Sequence, residues 1–279
     1  MKKVKKVLAL AGCAALLVVG SVAGTIAYLT AQDEVVNTFS VGKVNLTLDE
    51  AKVDEDGNGK RLAKDGTVFV EGSGQELHKR VQNNKYKLMP GSSYYKDPTV
   101  HITKGSEECY VRMFVTITHS NEWDKICKEY KKTDGSNKFG AEDMFTDLDT
   151  EHWEYKGNKK NTEDAIANTR TYEFWYRKKV TNIPTDNDKS LEPLFKGIQM
   201  PEELTNEDLA LLADKPDTPE DESFKIYIVA QAIQAEGFGE DPDEIETSKN
   251  DAFAAAPEIS GTDLTPEITG SDSTTTESQ

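Results

Sequence analysis

Apolar and polar residues alternate most regularly at 109–119. There Cys109, Val111, Met113, Val115 and Ile117 take one phase and Tyr110, Arg112, Phe114, Thr116 and Thr118 the other. That period of two turns one set of a strand toward a core. Residues 223–234 repeat it, with Phe224, Ile226, Ile228, Ala230 and Ala232 set against Lys225, Tyr227, Val229 and Gln231, and this strand is expected at the centre of its sheet. Shorter strands are expected at 35–39 and 44–48, around Gly42-Lys43, and at 67–70, 98–103 and 171–181. Pro90-Gly91 marks a turn, since proline pre-sets the first turn dihedral and glycine tolerates the positive angle that follows.

Two stretches change period. Trp123, Ile126, Cys127 and Tyr130 share a helical face within 121–132. Residues 204–212 read as a short helix, capped by Thr205 or Asn206, with Glu207 and Asp208 at its positive N-terminal end. The pattern predicts an all-β chain, one β-rich domain spanning 28–256, with short helical and loop insertions at about 120–220. A length of this order suits one β-rich domain. Residues 257–279 are rich in Ser, Thr, Glu, Asp and Pro and are expected to form a disordered tail.

The chain opens differently. Lys2, Lys3, Lys5 and Lys6 precede an uncharged run from Val7 to about Leu29, the order of a secretion signal. Thr25 and Ala27 have the spacing of a small-residue cleavage site, so residues 1–27 are expected to leave by a cut between Ala27 and Tyr28. Two rival readings of the segment are an uncleaved membrane anchor, which its length permits, and lipidation at Cys13 of Leu10-Ala11-Gly12-Cys13. Against lipidation, a further run of mostly apolar residues follows Cys13. The chain is therefore expected to be secreted.

Removing residues 1–27 takes four of the 33 basic residues and none of the 50 acidic ones, so the mature charge is 29 minus 50, or −21. Such a field repels phosphate backbones and argues against a nucleic-acid partner. The mature chain keeps Cys109 and Cys127. In an exported protein two cysteines can pair, whereas a Cys109 on the core-facing phase suits a buried free thiol.

Candidate chemistry is sparse. His78, His101, His119 and His152 lack the helical pairing and adjacent glutamate of a zinc protease. His101 and His119 both fall on expected strands. Gly72-Ser73-Gly74 lacks the flanks of a nucleophile elbow. Neither Glu107 with Glu108 nor Asp147 with Asp149 stands out as an acid–base pair, and no catalytic residue is assigned. Asp54, Asp56, Asn58 and Asp65 occupy positions 1, 3, 5 and 12 of a calcium-loop skeleton, with Gly59 at position 6. Alternate side chains at that spacing converge on one ion. Asp65 stands where a bidentate glutamate is usual, Lys60 and Arg61 intrude, and a plain acidic turn is the competing reading.

The run Gly24-Thr25-Ile26-Ala27-Tyr28-Leu29-Thr30, followed by Asn37-Thr38-Phe39-Ser40-Val41-Gly42-Lys43-Val44-Asn45-Leu46, resembles the TasA/camelysin family, whose members carry a signal peptide served by the dedicated peptidase SipW. Pro90-Gly91, Lys96-Asp97-Pro98-Thr99-Val100 and Tyr110-Val111-Arg112 resemble its central block. Ala230-Gln231-Ala232-Ile233-Gln234-Ala235-Glu236-Gly237-Phe238, with Ala252-Phe253, resembles its closing strand. Thr103-Lys104-Gly105 departs from it, relatives having asparagine before the glycine.

The resemblance implies a jelly-roll β-sandwich on a Gram-positive bacterium and splits in function. TasA-like members assemble into extracellular biofilm fibres, the N-terminal strand of one subunit completing the sheet of the next. Camelysin-like members are described as surface metalloproteases. The residues favour the fibre subunit, because a cut after Ala27 frees an alternating segment over 28–48, and no metal motif is visible. A monomeric surface adhesin or ligand-binding module is a third reading, in which the same segment is an ordinary edge strand. Expected partners are other copies, other matrix proteins or polysaccharide, and the signal peptidase. No cofactor is expected beyond the calcium candidate.

Overall fold

The computed structural model describes residues 30–34, 38–39, 44–54, 59–162, 166–213, 223–238 and 245–266. The expected signal segment, the cut between Ala27 and Tyr28, residues 35–37 of the first expected strand and residues 267–279 of the expected tail lie outside the described residues.

The N-terminal segment contributes β1 (Thr30–Glu34) and β2 (Thr38–Phe39), followed by β3 (Leu46–Asp49), β4 (Ser93–Tyr95), β5 (Thr99–Ile102) and β6 (Cys109–Ile117). Next come α1 (Ser120–Glu129), β7 (Phe145–Thr146), β8 (Trp153–Lys160), β9 (Arg170–Tyr176), β10 (Lys189–Ser190) and β11 (Gly197–Gln199). The chain continues through α2 (Asn206–Leu212), β12 (Ile226–Gln234) and α3 (Ile245–Ala255). Six strands form the main sheet in the order β2-β1-β12-β6-β9-β8, and two three-stranded sheets run β10-β5-β3 and β4-β11-β7. All of these pairings are antiparallel. The chain is thus mostly β, as its alternation predicts, and β12 is central.

The axis of the main sheet is the nine-residue ladder from Cys109↔Gln234 to Ile117↔Ile226. The odd positions of β6 join Ile228, Ala230 and Ala232 of β12 in the principal core, together with Leu46, Leu48, Val100, Ile102, Tyr94 and Ile198 of the smaller sheets. The opposite phase is also buried, which alternation alone does not foretell. Tyr110, Trp175 and Ile233 pack under Ala252 and Phe253 of α3, while Phe114 and Val229 pack with Ile166, Ile259 and Leu264. A half-buried cation, Arg112, lies between these clusters. Arg112 Nε donates to Gln231 Oε1 at 2.8 Å and Nη1 to Glu173 Oε1 at 3.2 Å, with the Phe253 ring 4.6 Å from the guanidinium. Gln231 Nε2 in turn donates to the Pro257 carbonyl at 2.9 Å.

Three expectations are corrected. Residues 257–266 do not all belong to a free tail, because Ile259 and Leu264 are buried on the sheet. Residues 67–70 form no regular strand. Only a bridge from Val68 to Leu62 forms there, and Val68 and Val70 stay exposed because this arm covers no core. The 120–220 stretch is not all insertion, since it supplies β8 and β9 of the main sheet.

The helices start as their local chemistry dictates. Thr205 Oγ1 accepts the Asp208 N–H and Asp208 Oδ2 accepts the Thr205 N–H, a reciprocal cap for α2. His119, before α1, is left-handed and gives no side-chain cap. Asn168 replaces it from across the fold, its Oδ1 accepting the Asn121 N–H at 2.7 Å. Gly59, at φ +68°, is held so near Tyr94 that a Cβ would lie 2.6 Å from the tyrosine's own Cβ, so only glycine fits.

Truncating Leu264 or Phe253 to alanine is expected to cost about 2–5 kcal/mol each, the range for buried large-to-small changes. Urea unfolding of the variants checks this. A free C-terminal segment would leave the midpoint unmoved by Leu264→Ala.

Candidate functional site

The two outer margins of the main sheet are built in opposite ways. On one side β1 lies against the middle of β12 in the register Thr30↔Ile233 to Glu34↔Val229, with β2 beyond it. β12 therefore has nine residue partners on β6 but only five on β1. On the other side β8 carries Lys156, Lys159 and Lys160 and is interrupted by a bulge at Tyr155/Gly157. Gly157 takes φ +132° there. Lysines and a bulge on an outer strand oppose the addition of a further strand, because the charges must be desolvated and the ladder loses register. Lys156 is additionally tied down, 2.8 Å from Glu246 of α3 and 4.6 Å from the centre of the Trp175 ring.

Of the calcium-loop candidates, Asp54 adjoins the bridge between Val53 and Arg61, and Asp65 lies beyond it. Asp54 Oδ1 accepts the Gly59 N–H at 2.8 Å. Asp65 Oδ1 accepts both the N–H and the hydroxyl of Thr67, at 3.0 and 2.7 Å. Asp56 and Asn58 lie outside the described residues. Among the described residues no group of three or more His, Cys, Asp and Glu is placed to hold a metal ion.

The structure does not bring His101 and His119 into one site. His101 Nε2 lies 2.8 Å from Asp49 Oδ1 and its Nδ1 2.8 Å from Ser190 Oγ, whereas the His119 ring sits near Phe224 at 6.5 Å. Asp149 holds His152 Nδ1 at 2.8 Å, and Glu108 is paired with Lys179 at 2.8 Å. Cys109 and Cys127 are both free and buried. Burial is the main cause that pushes their thiols up, to about 12 and about 11, so neither is a ready thiolate.

The most concentrated polar cluster is one that no motif announces. It lies where the irregular stretch between β3 and β4 folds back on β3 and β5. Arg80 Nη1 donates to Asp97 Oδ2 at 2.9 Å, and Nη2 donates to the Asp97 carbonyl at 2.9 Å and to Thr99 Oγ1 at 2.8 Å. Its Nε donates to Asp49 Oδ1 at 2.5 Å. Asp97 completes its shell by accepting the Ala51 N–H at 2.7 Å. Beside this clamp Lys96 is paired with Glu50, both nearly buried. Burial pushes the Asp49 carboxyl up, but the hydrogen bonds from His101 and Arg80 and their charges outweigh it and hold it below its ordinary value. The sequence signal for this cluster is Arg80 beside Lys79 in a polar stretch, which no spacing rule singles out.

A scan of known protein families matched none to this chain, and neither the curated proteins nor the solved structures gave a match.

Arg80→Met removes the cation that Asp49 and Asp97 share and is expected to destabilise by about 3 kcal/mol, the low end for breaking a buried pair because the guanidinium is partly exposed and each carboxylate keeps another partner. A depressed carboxyl contributes stability above its unfolded value, near 4, and loses it as pH falls through the lower folded value. Asp49→Asn is therefore expected to flatten the acid limb of stability below about pH 4, read by urea unfolding across the pH range. An unchanged acid limb would show that Asp49 does not drive it.

Proposed function

We propose that the mature chain is a secreted structural subunit of extracellular matrix or cell-surface fibres, built on a jelly-roll sandwich and assembled by passing the N-terminal strand from one copy to the next. The observation that carries the reading is the pairing of β1 with the middle of β12. β12 is a buried central strand, and β1 begins three residues after the proposed cut at Ala27. A strand held by backbone pairing at the chain's start can leave its own subunit and fill the same place on another. The lysine-bearing, bulged β8 opposes growth at the other margin, so addition proceeds through one margin only.

Release by a signal peptidase comes first in this scheme, since the segment before residue 28 otherwise extends the exchanging strand. Other copies are the principal partner. Other matrix proteins or polysaccharide are compatible with the acidic surface, and calcium at Asp54, Asp56, Asn58 and Asp65 is an accessory to assembly rather than a requirement. No catalytic role is proposed.

The register supplies the test. Ala31 and Ala232 are direct partners on neighbouring strands, close enough for a disulfide between cysteines placed there. Ala31→Cys with Ala232→Cys, oxidised after incubation for assembly, is expected to give a ladder of covalent oligomers on a non-reducing gel and filaments by electron microscopy. A single band of crosslinked monomer, with monodisperse particles, would overturn strand exchange.

A further inference from the structure

Three side chains far apart in their local environments meet beside the Arg80 clamp. Glu50 directly follows β3, Lys96 directly follows β4, and Asn84 lies in the irregular stretch between them. The Glu50 and Lys96 side chains are 5% and 9% exposed. One oxygen of the carboxylate, Oε2, accepts from Lys96 Nζ. The other, Oε1, accepts from Asn84 Nδ2 at 2.9 Å. A single carboxylate thus holds an amine and a carboxamide side by side.

The carboxamide is fixed in one orientation. Asn84 Nδ2 donates also to the Ala51 carbonyl at 2.8 Å, and Oδ1 accepts the Val53 N–H at 3.0 Å. Exchanging the two atoms would set donor against donor and acceptor against acceptor. The Tyr86 ring lies 5.7 Å from Nζ, its hydroxyl donating to the Tyr95 carbonyl at 3.2 Å. As a stabilising device alone, a buried ion pair gains little, because the desolvation of both charges offsets their attraction. As a reaction centre every contact has a use.

We propose that Lys96 and Asn84 become joined by an intramolecular amide bond, with Glu50 as the acid–base group. Glu50 Oε2 takes a proton from the Lys96 ammonium, which leaves Nζ with a free electron pair. Nζ attacks Asn84 Cγ, a C–N bond forms, and the carbonyl π pair moves onto Oδ1, where the Val53 N–H faces the developing charge. The carbonyl then re-forms and the Cγ–Nδ2 bond breaks. Glu50 gives up the proton it took, now to Nδ2, which departs as ammonia, and is again a carboxylate. The remaining surplus proton of Nζ passes to Glu50, which ends as a neutral acid. An ammonium, a carboxylate and a primary carboxamide become a secondary amide, a carboxylic acid and ammonia, so atoms and charge balance and no oxidant or metal takes part. Holding both reactants against one group supplies the proximity that such acyl transfer needs, and the product relieves the site of two buried charges.

Intact-mass spectrometry of the mature full-length chain reads the outcome. The wild-type protein is expected to be one ammonia lighter than its sequence, and a protease digest to yield a branched peptide containing both Asn84 and Lys96. Glu50→Gln, Lys96→Arg and Asn84→Ala are each expected to restore the full mass, with circular dichroism confirming a folded chain. Asn84→Asp is expected to lose water instead, which separates the chemistry from a merely structural role of the position. A wild-type chain of full mass, with residues 84 and 96 in separate peptides, would overturn the proposal. So would an ammonia loss located elsewhere, or one that persists in a folded Glu50→Gln variant.

Discussion

The structure depends on one constraint: the ladder between β6 and β12 must be dry on both faces. A strand pair with one apolar face can sit on a core and leave its back to water, but here Tyr110, Phe114, Val229 and Ile233 make the back apolar as well. Something has to cover it. That need accounts for α3 and for the turn Gly261–Leu264, which sit on the back of the sheet although neither extends it. It also accounts for the manner in which Arg112 is held. A cation placed between two strands under a helix is tolerable only because Gln231, Glu173 and the Phe253 ring replace its water.

The opposite face meets a different problem. The long polar stretch between β3 and β4 buries little apolar surface of its own, so it is anchored by charge. Arg80 ties the stretch to Asp49 and Asp97, and Asn84 ties it to Glu50 and to the backbone on either side of Lys52. Such anchoring is directional where apolar packing is not, and it fixes one path for a segment whose composition would otherwise allow many. With both cysteines free, the described residues contain no disulfide to do that work.

What was legible in the sequence follows from this division. β6, β9, β12 and the two helices α1 and α2 were visible because each keeps a regular period, and the Thr205 cap because its chemistry is local. β8 escaped notice: lysines and a glycine bulge erase alternation on an outer strand. The cover of the sheet's back was hidden in a Ser, Thr, Glu and Pro-rich composition where two apolar residues, Ile259 and Leu264, suffice. The Arg80 and Glu50 clusters were invisible because partners such as Ala51 and Asp97, or Glu50 and Lys96, lie 46 positions apart and are joined only by folding. The margin formed by β1 and β12 was half legible, since β12 keeps its period but the first strand was expected at 35–39, whereas β1 occupies Thr30–Glu34.

The position of β12 in the chain carries a further consequence. The strand that stands between β1 and β6 is made of residues 226–234, and the elements that cover its back come later still. Whatever the direction from which the chain meets water, its N terminus is synthesised first and waits for nearly the whole length before its neighbour exists. The sheet is completed by contacts of very long sequence separation, the kind that form slowly. The main sheet is thus completed only once residues 226–234 have emerged, although β1 with β2 and β3 with β5 can pair before then.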